Sequence, residues 1–352
     1  MSVLLRRKSR VVRIGAVRIG GNFPVAIQSM AKTKTADIAA TVRQIGRLQQ
    51  AGCEIVRVAI KDRADAQALR TIRKNISLPL VADIHFDWTL AMEAIEAGAD
   101  KIRLNPGNID KKAQVREVCA AAKLAKIPIR VGLNSGSVGK GRDQVSLMVE
   151  KCRQYLRLME GFDFRDIVVS LKAQNPLDTV RAYRRMSRLC DYPFHLGVTA
   201  TGLPEEGLLK SSVAIGSLLL DGIGDTIRIS LTDKPEREVT AARTLLNSLG
   251  VRKFKPSIIS CPTCGRCEVD LIRIVQDLEE KLKRLRFDAG RLPGPIAVMG
   301  CVVNGPGEAR QADIGIAFGR HEGLLFRKGR PIRKVAPERA VDVLIAELCR
   351  HS

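Results

Sequence analysis

The amino-acid sequence predicts an α/β protein. A TIM-type (β/α)8 barrel spans residues 1–250, and a small α+β domain spans residues 251–352. Three observations predict it. Eight short runs rich in β-branched residues alternate with longer amphipathic stretches between residues 24 and 231. Those stretches often close on a glycine, where a helix C-cap belongs. Beyond the eighth run the rhythm changes, and cysteines cluster for the first time, in SCPTCGRC (260–267). At 352 residues the chain exceeds one ordinary domain and suits a large barrel plus a module.

In order, the expected strands are PVAIQSM (24–30), CEIVRVAI (53–60), LPLVADIHF (78–86), KIRLNPGN (101–108), IPIRVGLNSG (127–136), DIVVSLKAQ (166–174), FHLGVTATG (194–202) and DTIRISL (225–231). Strands separated by helices pair in parallel through βαβ units, and eight units close a barrel. An open doubly wound sheet is the structural alternative, but no Gly-x-Gly-x-x-Gly turn follows the first strand. PEREVTAARTLLNSLG reads as the last barrel helix, running back to the bottom. After it come the cysteines, a helix in EVDLIRIVQDLEEKLKRL, an apolar strand ending in VMGC, a tight turn in NGPGEA, a hairpin in GLLFRKGRPIRKV and a final helix in PERAVDVLIAELCR.

The strand ends carry polar residues: Arg57, Asp83 with His85, Arg103 with Asn105, Arg130 with Asn134, Lys172, and Arg228 with Ser230. Pairs two apart point to one face of a strand. Charge is costly inside a barrel, whereas the C-terminal mouth, where barrel enzymes act, tolerates it. Five cations converging there (Arg57, Arg103, Arg130, Lys172, Arg228) need an anion, and guanidinium forks match phosphate oxygens. A diphosphate fits better than a carboxylate. His195 sits early in its strand and is expected in the core. No histidine pair has metal-ligand spacing.

The net charge of +22 arises from 59 basic and 37 acidic residues and is spread along the chain. Nine Phe, three Tyr and one Trp are too few for a single-strand stacking platform. A nucleic-acid partner is therefore not expected, while a small phosphorylated substrate or an acidic protein would be steered in. The lack of a long apolar run or secretory leader predicts a cytoplasmic protein with no membrane partner.

Isolated cysteines at 53, 119, 152, 190 and 349 read as small buried hydrophobes. Cys261, Cys264 and Cys267 form a metal-binding rhythm, and Cys301 lies at the end of a buried strand, seven residues before Glu308. Such thiolates suit either a structural zinc module or a [4Fe–4S] cluster. The missing second Cys-x-x-Cys knuckle puts the cluster ahead. Spacing leaves the fourth ligand open between Cys267 and Glu308.

SCPTCGR, MGCVVNGPGEA and ADIGIA, together with VADIHF, IRLNPGN, GLNSGS, VSLKA, HLGVT and GIGDTIRISL, resemble the bacterial 4-hydroxy-3-methylbut-2-enyl diphosphate synthase family of the methylerythritol phosphate pathway, in matching order over residues 9–350. The resemblance implies an oxidoreductase of isoprenoid biosynthesis. It would reductively open and dehydroxylate 2-C-methyl-D-erythritol 2,4-cyclodiphosphate, with flavodoxin or ferredoxin as electron donor. It implies one [4Fe–4S] cluster per chain on Cys261, Cys264 and Cys301, with Glu308 as labile fourth ligand, and makes Cys267 a bystander. The anion-binding residues named above carry over.

Two departures stand out. Cys267 replaces a threonine-like residue, and Ala200–Thr201 stands where many members have Glu-Ala, so Asp83, His85 or Thr201 would have to serve the proton. A head-to-tail homodimer is also expected, because the last barrel helix ends opposite the mouth. The rival reading is a phosphate- or pterin-type barrel transferase with a structural zinc module.

Overall fold

The computed structural model describes residues 5–139, 143–199, 201–285 and 294–350. The chain divides into two compact units, Met1–Val251 and Arg252–Ser352.

The first unit opens with a hairpin of β1 (Val12–Ile14) and β2 (Val17–Ile19), turned at Gly15 in the left-handed region, φ +55°. No alternation long enough to announce this hairpin exists in the sequence. Its Val12, Ile14 and Ile19 pack with Ala26, Ile55, Val81 and Val168, low on four barrel strands, and so plug the barrel floor. The barrel then follows as β3 (Ala26–Met30), α1 (Ile38–Ala51), β4 (Ile55–Ile60), α2 (Arg63–Lys74), β5 (Leu80–Ile84), α3 (Thr89–Glu96), β6 (Lys101–Leu104), α4 (Lys112–Ala125), β7 (Ile129–Asn134), α5 (Gln144–Gly161), β8 (Ile167–Lys172), α6 (Pro176–Met186), β9 (His195–Leu196), α7 (Pro204–Leu220), β10 (Thr226–Ile227) and α8 (Pro235–Ser248).

The strands run parallel in the order β8-β7-β6-β5-β4-β3-β10-β9, and a parallel bridge from Val169 to Phe194 joins the two ends. Helix starts follow local chemistry: the Asp37, Asp62, Asp143 and Asn175 side chains each accept an N-terminal backbone N–H. β9 and β10 are two residues each, far shorter than the runs 194–202 and 225–231. Past them the backbone turns to side-chain partners. The Leu231 N–H donates to the Glu238 carboxylate at 3.1 Å instead of to a strand, and the Thr201 hydroxyl donates to the Ser230 carbonyl.

The second unit comprises β11 (Ile258–Ser260), α9 (Leu271–Arg284), β12 (Ile296–Met299), α10 (Gly305–Gln311), β13 (Ile314–Phe318), β14 (Gly323–Arg327), β15 (Arg330–Val335) and α11 (Ala340–Cys349). Its sheet runs β11-β12-β13-β14-β15, the first three strands parallel and the last two antiparallel. Leu271, Leu278, Leu282 and Leu344 pack from α9 and α11 onto Val298, Ile316 and Phe318. The NGPGEA segment, read from sequence as a tight turn, starts α10 instead. Pro306 stands in the first turn, where its missing N–H costs nothing.

Candidate functional site

The C-terminal ends of the barrel strands surround a cavity of 430 Å³. Arg57, Asp83, His85, Arg103, Asn105, Arg130, Asn134, Lys172, Arg228 and Ser230 all line it. β4 supplies Arg57, β5 Asp83, β6 Arg103, β7 Arg130 and Asn134, and β8 Lys172; the other four stand just past strand ends.

Asp83 is the carboxylate among these lining residues. Its Oδ1 accepts from Arg103 Nη1 at 3.2 Å, and its Oδ2 lies 3.5 Å from Arg57 Nε. Burial by itself would raise this carboxyl, but the Arg57, Arg103 and Arg130 guanidiniums outweigh it and hold it at about 2. Asp83 is therefore an anion that aims two arginines, and it carries no proton near neutrality. Arg228 reaches Glu238 Oε2 at 3.4 Å. Arg130 is buried with its Nε and Nη1 unpaired, and Arg103 Nε and His85 Nδ1 are likewise buried without partners. Unpaired guanidinium N–H groups around a cavity suit an anion rich in oxygen.

Two glycines keep this crowding feasible. A Cβ on Gly132 would stand 2.8 Å from Arg103 Nε, and one on Gly197 would stand 2.5 Å from Lys172 Nζ. Lys172 is forced toward its neutral form, first by burial and then by Arg130, Arg57 and Arg228.

Several site residues escaped sequence reasoning. Met30, Asn108 and Val198 also line the cavity, and Met30 Sδ sits 2.9 Å from Arg57 Nη2. Below them, Lys101 is fully buried with Nζ 3.3 Å from Gln28 Oε1, and burial plus Arg130 and Arg57 drive its ammonium toward neutrality. Lys101 opens KIRL two residues before Arg103, so the same-face rule could have found it. Glu238 is buried on α8 and takes Lys32 Nζ at 2.9 Å, with nothing in its helical spacing to signal a role. His195 lies in the barrel interior as expected, with Nδ1 2.8 Å from Thr226 Oγ1. Thr201 is buried, and Ala200 lies outside the described residues.

The second unit holds a cavity of 400 Å³ lined by Cys261, Cys264, Cys301 and Glu308, with Arg266, Asn304 and Pro262. Cys261 and Cys264 come from the loop after β11, Cys301 from the loop after β12, and Glu308 from the first turn of α10. The Gly300 N–H donates to Cys261 Sγ at 3.4 Å. Backbone N–H groups of Val303 and Asn304, then Arg266, stabilise the Cys301 thiolate and lower its pKa. Cys267 is absent from this lining. Its thiol donates to the Val269 carbonyl at 3.3 Å and packs against the domain core. Among the described residues, no three His, Cys, Asp or Glu side chains are grouped as ligands of a single metal ion.

Comparison with known proteins agrees with both units. The model described as the GcpE TIM-barrel domain matches residues 9–243, and that of the GcpE protein C-terminal domain matches residues 257–350. The chain is 49% identical over 348 residues to the 4-hydroxy-3-methylbut-2-en-1-yl diphosphate synthase (flavodoxin) of Fusobacterium nucleatum, covering 97% of this chain and 96% of that one. It is 49% identical over 352 residues to the protein of that name from Thermodesulfovibrio yellowstonii, at 98% and 99% coverage. The same identity holds over 349 residues with the Bacillus subtilis protein, at 97% and 91%.

Among solved structures, Xanthomonas albilineans dihydropteroate synthase in complex with 7,8-dihydropteroate superposes with a TM-score of 0.53 over 69% of this chain and 98% of that one. At 14% identity, that likeness concerns the barrel fold alone. With both family domains matched and half of its residues shared with relatives along almost the whole chain, this protein belongs to the GcpE family of 4-hydroxy-3-methylbut-2-en-1-yl diphosphate synthases.

Proposed function

We infer that the chain reduces 2-C-methyl-D-erythritol 2,4-cyclodiphosphate to 4-hydroxy-3-methylbut-2-enyl diphosphate. The carrying observation is the ring of four arginines and Lys172 around one 430 Å³ cavity in a chain of this family. The reaction breaks the carbon–oxygen bond at the tertiary carbon, expels the neighbouring hydroxyl as water, and consumes two electrons and two protons. A flavodoxin supplies the electrons, as the relatives' names state; a ferredoxin is the second donor of suitable chemistry.

The diphosphate lies among Arg57, Arg103, Arg130, Lys172 and Arg228. There the guanidiniums take up the charge that develops on the phosphate oxygen as its bond to carbon breaks. Asp83 fixes Arg57 and Arg103 and does not donate a proton, since it stays ionised. Thr201 is absent from the cavity lining and its hydroxyl is taken by the Ser230 carbonyl, which leaves the His85 imidazole on the cavity wall to deliver a proton to the departing hydroxyl. Asn134 ends β7 and Asn105 sits in the turn after β6, its Oδ1 accepting the Gly107 N–H at 3.1 Å, so both hold the substrate's flank in fixed positions.

The residues of the second unit fit a [4Fe–4S] cluster. Three thiols and a carboxylate line one cavity, a donor set that suits a cluster whose ligands each take a separate iron. Cys261, Cys264, Cys301 and Glu308 would hold it, and it would supply electrons one at a time. A carboxylate is the exchangeable ligand of the four, whereas Cys267 is engaged elsewhere. The zinc-module reading has no comparable support.

α8 runs antiparallel to the barrel strands and ends at the barrel floor, away from the mouth. We therefore propose that two copies assemble head to tail, each barrel served by the partner's second unit.

Anaerobic isolation with assay of iron, sulfide and zinc tests the cluster. About four irons and four sulfides per chain are expected, with turnover of the cyclodiphosphate by reduced flavodoxin. Zinc without sulfide would overturn it. Mixing inactive Arg57→Ala and Cys264→Ser chains tests the composite site. Random exchange should restore about a quarter of wild-type activity, and none if each chain works alone.

A further inference from the structure

The last hairpin of the second unit is strongly basic. From Arg320 to Lys334 the sequence carries Arg320, Arg327, Lys328, Arg330, Arg333 and Lys334 against one carboxylate, Glu322. Over the whole chain the balance is 59 to 37, so this segment is a local excess. All six but Arg327 are exposed. Lys334 pairs with Glu322, while Glu347 takes Arg327 at 3.7 Å and Arg333 at 3.9 Å. Among the described residues, no carboxylate engages Arg320, Lys328 or Arg330. β15 is the last strand of its sheet. Lysine and proline on an edge strand deter unwanted pairing, but that role does not call for Arg320, which lies in the turn after β13.

Strand register brings this charge beside the cysteine cavity. β11, β12 and β13 run parallel, so Cys261, Cys301 and the turn holding Arg320 all follow strand ends at one end of the sheet. β15 returns to that end, where Val335 pairs with Gly323 and Lys334 with Leu324. Between the cysteines and the basic turn lies an apolar step. Val302 and Val303, which follow Cys301, are 62% and 63% exposed, and a Cβ on Gly319 would meet Val302 Cγ1 at 3.4 Å. Arg266, also exposed, stands on the cavity wall. An apolar centre inside a charged rim has the make-up of a protein contact.

Charge selects the occupant, because a basic rim steers in an acidic face. Nucleic acid would be drawn by the same charge, but the one Phe between Arg320 and Lys334, Phe326, is fully buried and offers no base a stacking surface. We propose that Val302 and Val303, rimmed by Arg266, Arg320 and Lys334, are the docking surface for an acidic one-electron donor protein, of the flavodoxin class that the relatives' names state. The assignment rests on the reading that a cluster occupies the cysteine cavity, since it sets the donor against the loop that carries Cys301. Each docking delivers one electron. Two donor molecules therefore dock in turn to supply the two electrons that one turnover consumes, and no proton crosses the contact.

Titration calorimetry of the full-length protein, prepared without oxygen, with oxidised flavodoxin reads docking directly. The wild type should bind, with an affinity that falls as salt rises. Arg320→Glu/Lys334→Glu should be folded by circular dichroism and bind about tenfold or more weakly. Lys112→Glu/Arg116→Glu, two exposed positions on α4 with the same loss of charge, should bind as the wild type does. Three results overturn the proposal: no binding by the wild type, wild-type affinity in the rim variant, or equal weakening in the α4 variant. Tight binding of a single-stranded RNA oligonucleotide that flavodoxin does not displace from the rim overturns it as well.

Turnover with two reductants separates the two readings. With reduced flavodoxin the rim variant should show a KM for flavodoxin raised about tenfold. With reduced methyl viologen, which needs no docking surface, it should match the wild type. If flavodoxin serves both proteins equally, the surface is wrong and the proposed function stands. If flavodoxin binds through the rim while neither reductant supports turnover of the cyclodiphosphate, the surface stands and the proposed function falls.

Discussion

The Sγ of Cys267 occupies the space that a Cβ on Gly300 would need, one residue before Cys301. The Cys267 thiol is thus packed beneath the loop that carries Cys301. Its hydrogen bond to the Val269 carbonyl points it toward the domain core. Cys267→Ser should keep about four irons per chain and near-normal turnover. Gly300→Ala should push Cys267 into the Cys301 loop and lower iron and sulfide loading by about half or more. Iron and sulfide assays on both variants check this.

Glu308 stands in the first turn of α10 on the wall of the cysteine cavity. Under the proposed ligand set, Glu308→Ala removes the exchangeable carboxylate. Iron content should remain near wild type while kcat/KM falls by about 100-fold, and the visible spectrum should shift. Unchanged turnover would remove Glu308 from the site.

Asp83 is buried between Arg57 and Arg103. Asp83→Asn leaves both cations without an anion and should cost about 3 kcal/mol of stability, measurable by urea unfolding. The pH dependence follows in sign. The folded value of about 2 lies below the unfolded value, so the carboxylate's stabilisation is complete above about pH 5 and disappears as pH falls toward 2. Asp83→Asn should flatten the acid limb of the stability profile.

Lys101 and Lys172 are both buried and driven toward neutrality, mainly by burial and then by Arg130 and Arg57. A diphosphate entering the cavity adds negative charge beside them and favours their ammonium forms. Binding of the cyclodiphosphate near neutral pH should therefore take up protons. Calorimetry in two buffers of different ionisation enthalpy would reveal this, and Lys101→Met should lower the uptake.

Glu238 gathers Lys32 Nζ, the Arg228 guanidinium and the Leu231 N–H at the end of β10. Glu238→Gln should raise KM for the cyclodiphosphate by about tenfold with a smaller change in kcat, because it positions Arg228 without reaching the cavity.

The barrel and its mouth were legible because both follow from short-range rules. Strand periodicity exposed Asp83 with His85 and Arg103 with Asn105, since residues two apart share a face. Glu238 was not legible: its helix looks like any amphipathic helix, and its partners come from the segment just past β10 and from Lys32, far away in sequence. The hairpin of β1 and β2 was missed because three-residue strands carry no alternation to read. The NGPGEA segment misled in the opposite direction. Gly-Pro-Gly reads as a turn, but proline in a first turn also starts a helix, and only packing against β12 and β13 decides between them.

The sequence alone determined the fold class, the family, the cationic character of the mouth and the thiols available for a cluster. Each depends on residue type and spacing along the chain. Tertiary structure alone decided that Cys267 faces the domain core, that Asp83 is an ionised clamp and no proton donor, and that Lys101 is buried beneath the cavity. These are matters of burial and of neighbours brought together from distant segments. Desolvation and Coulomb interaction depend on distance through space, which spacing along the chain does not contain.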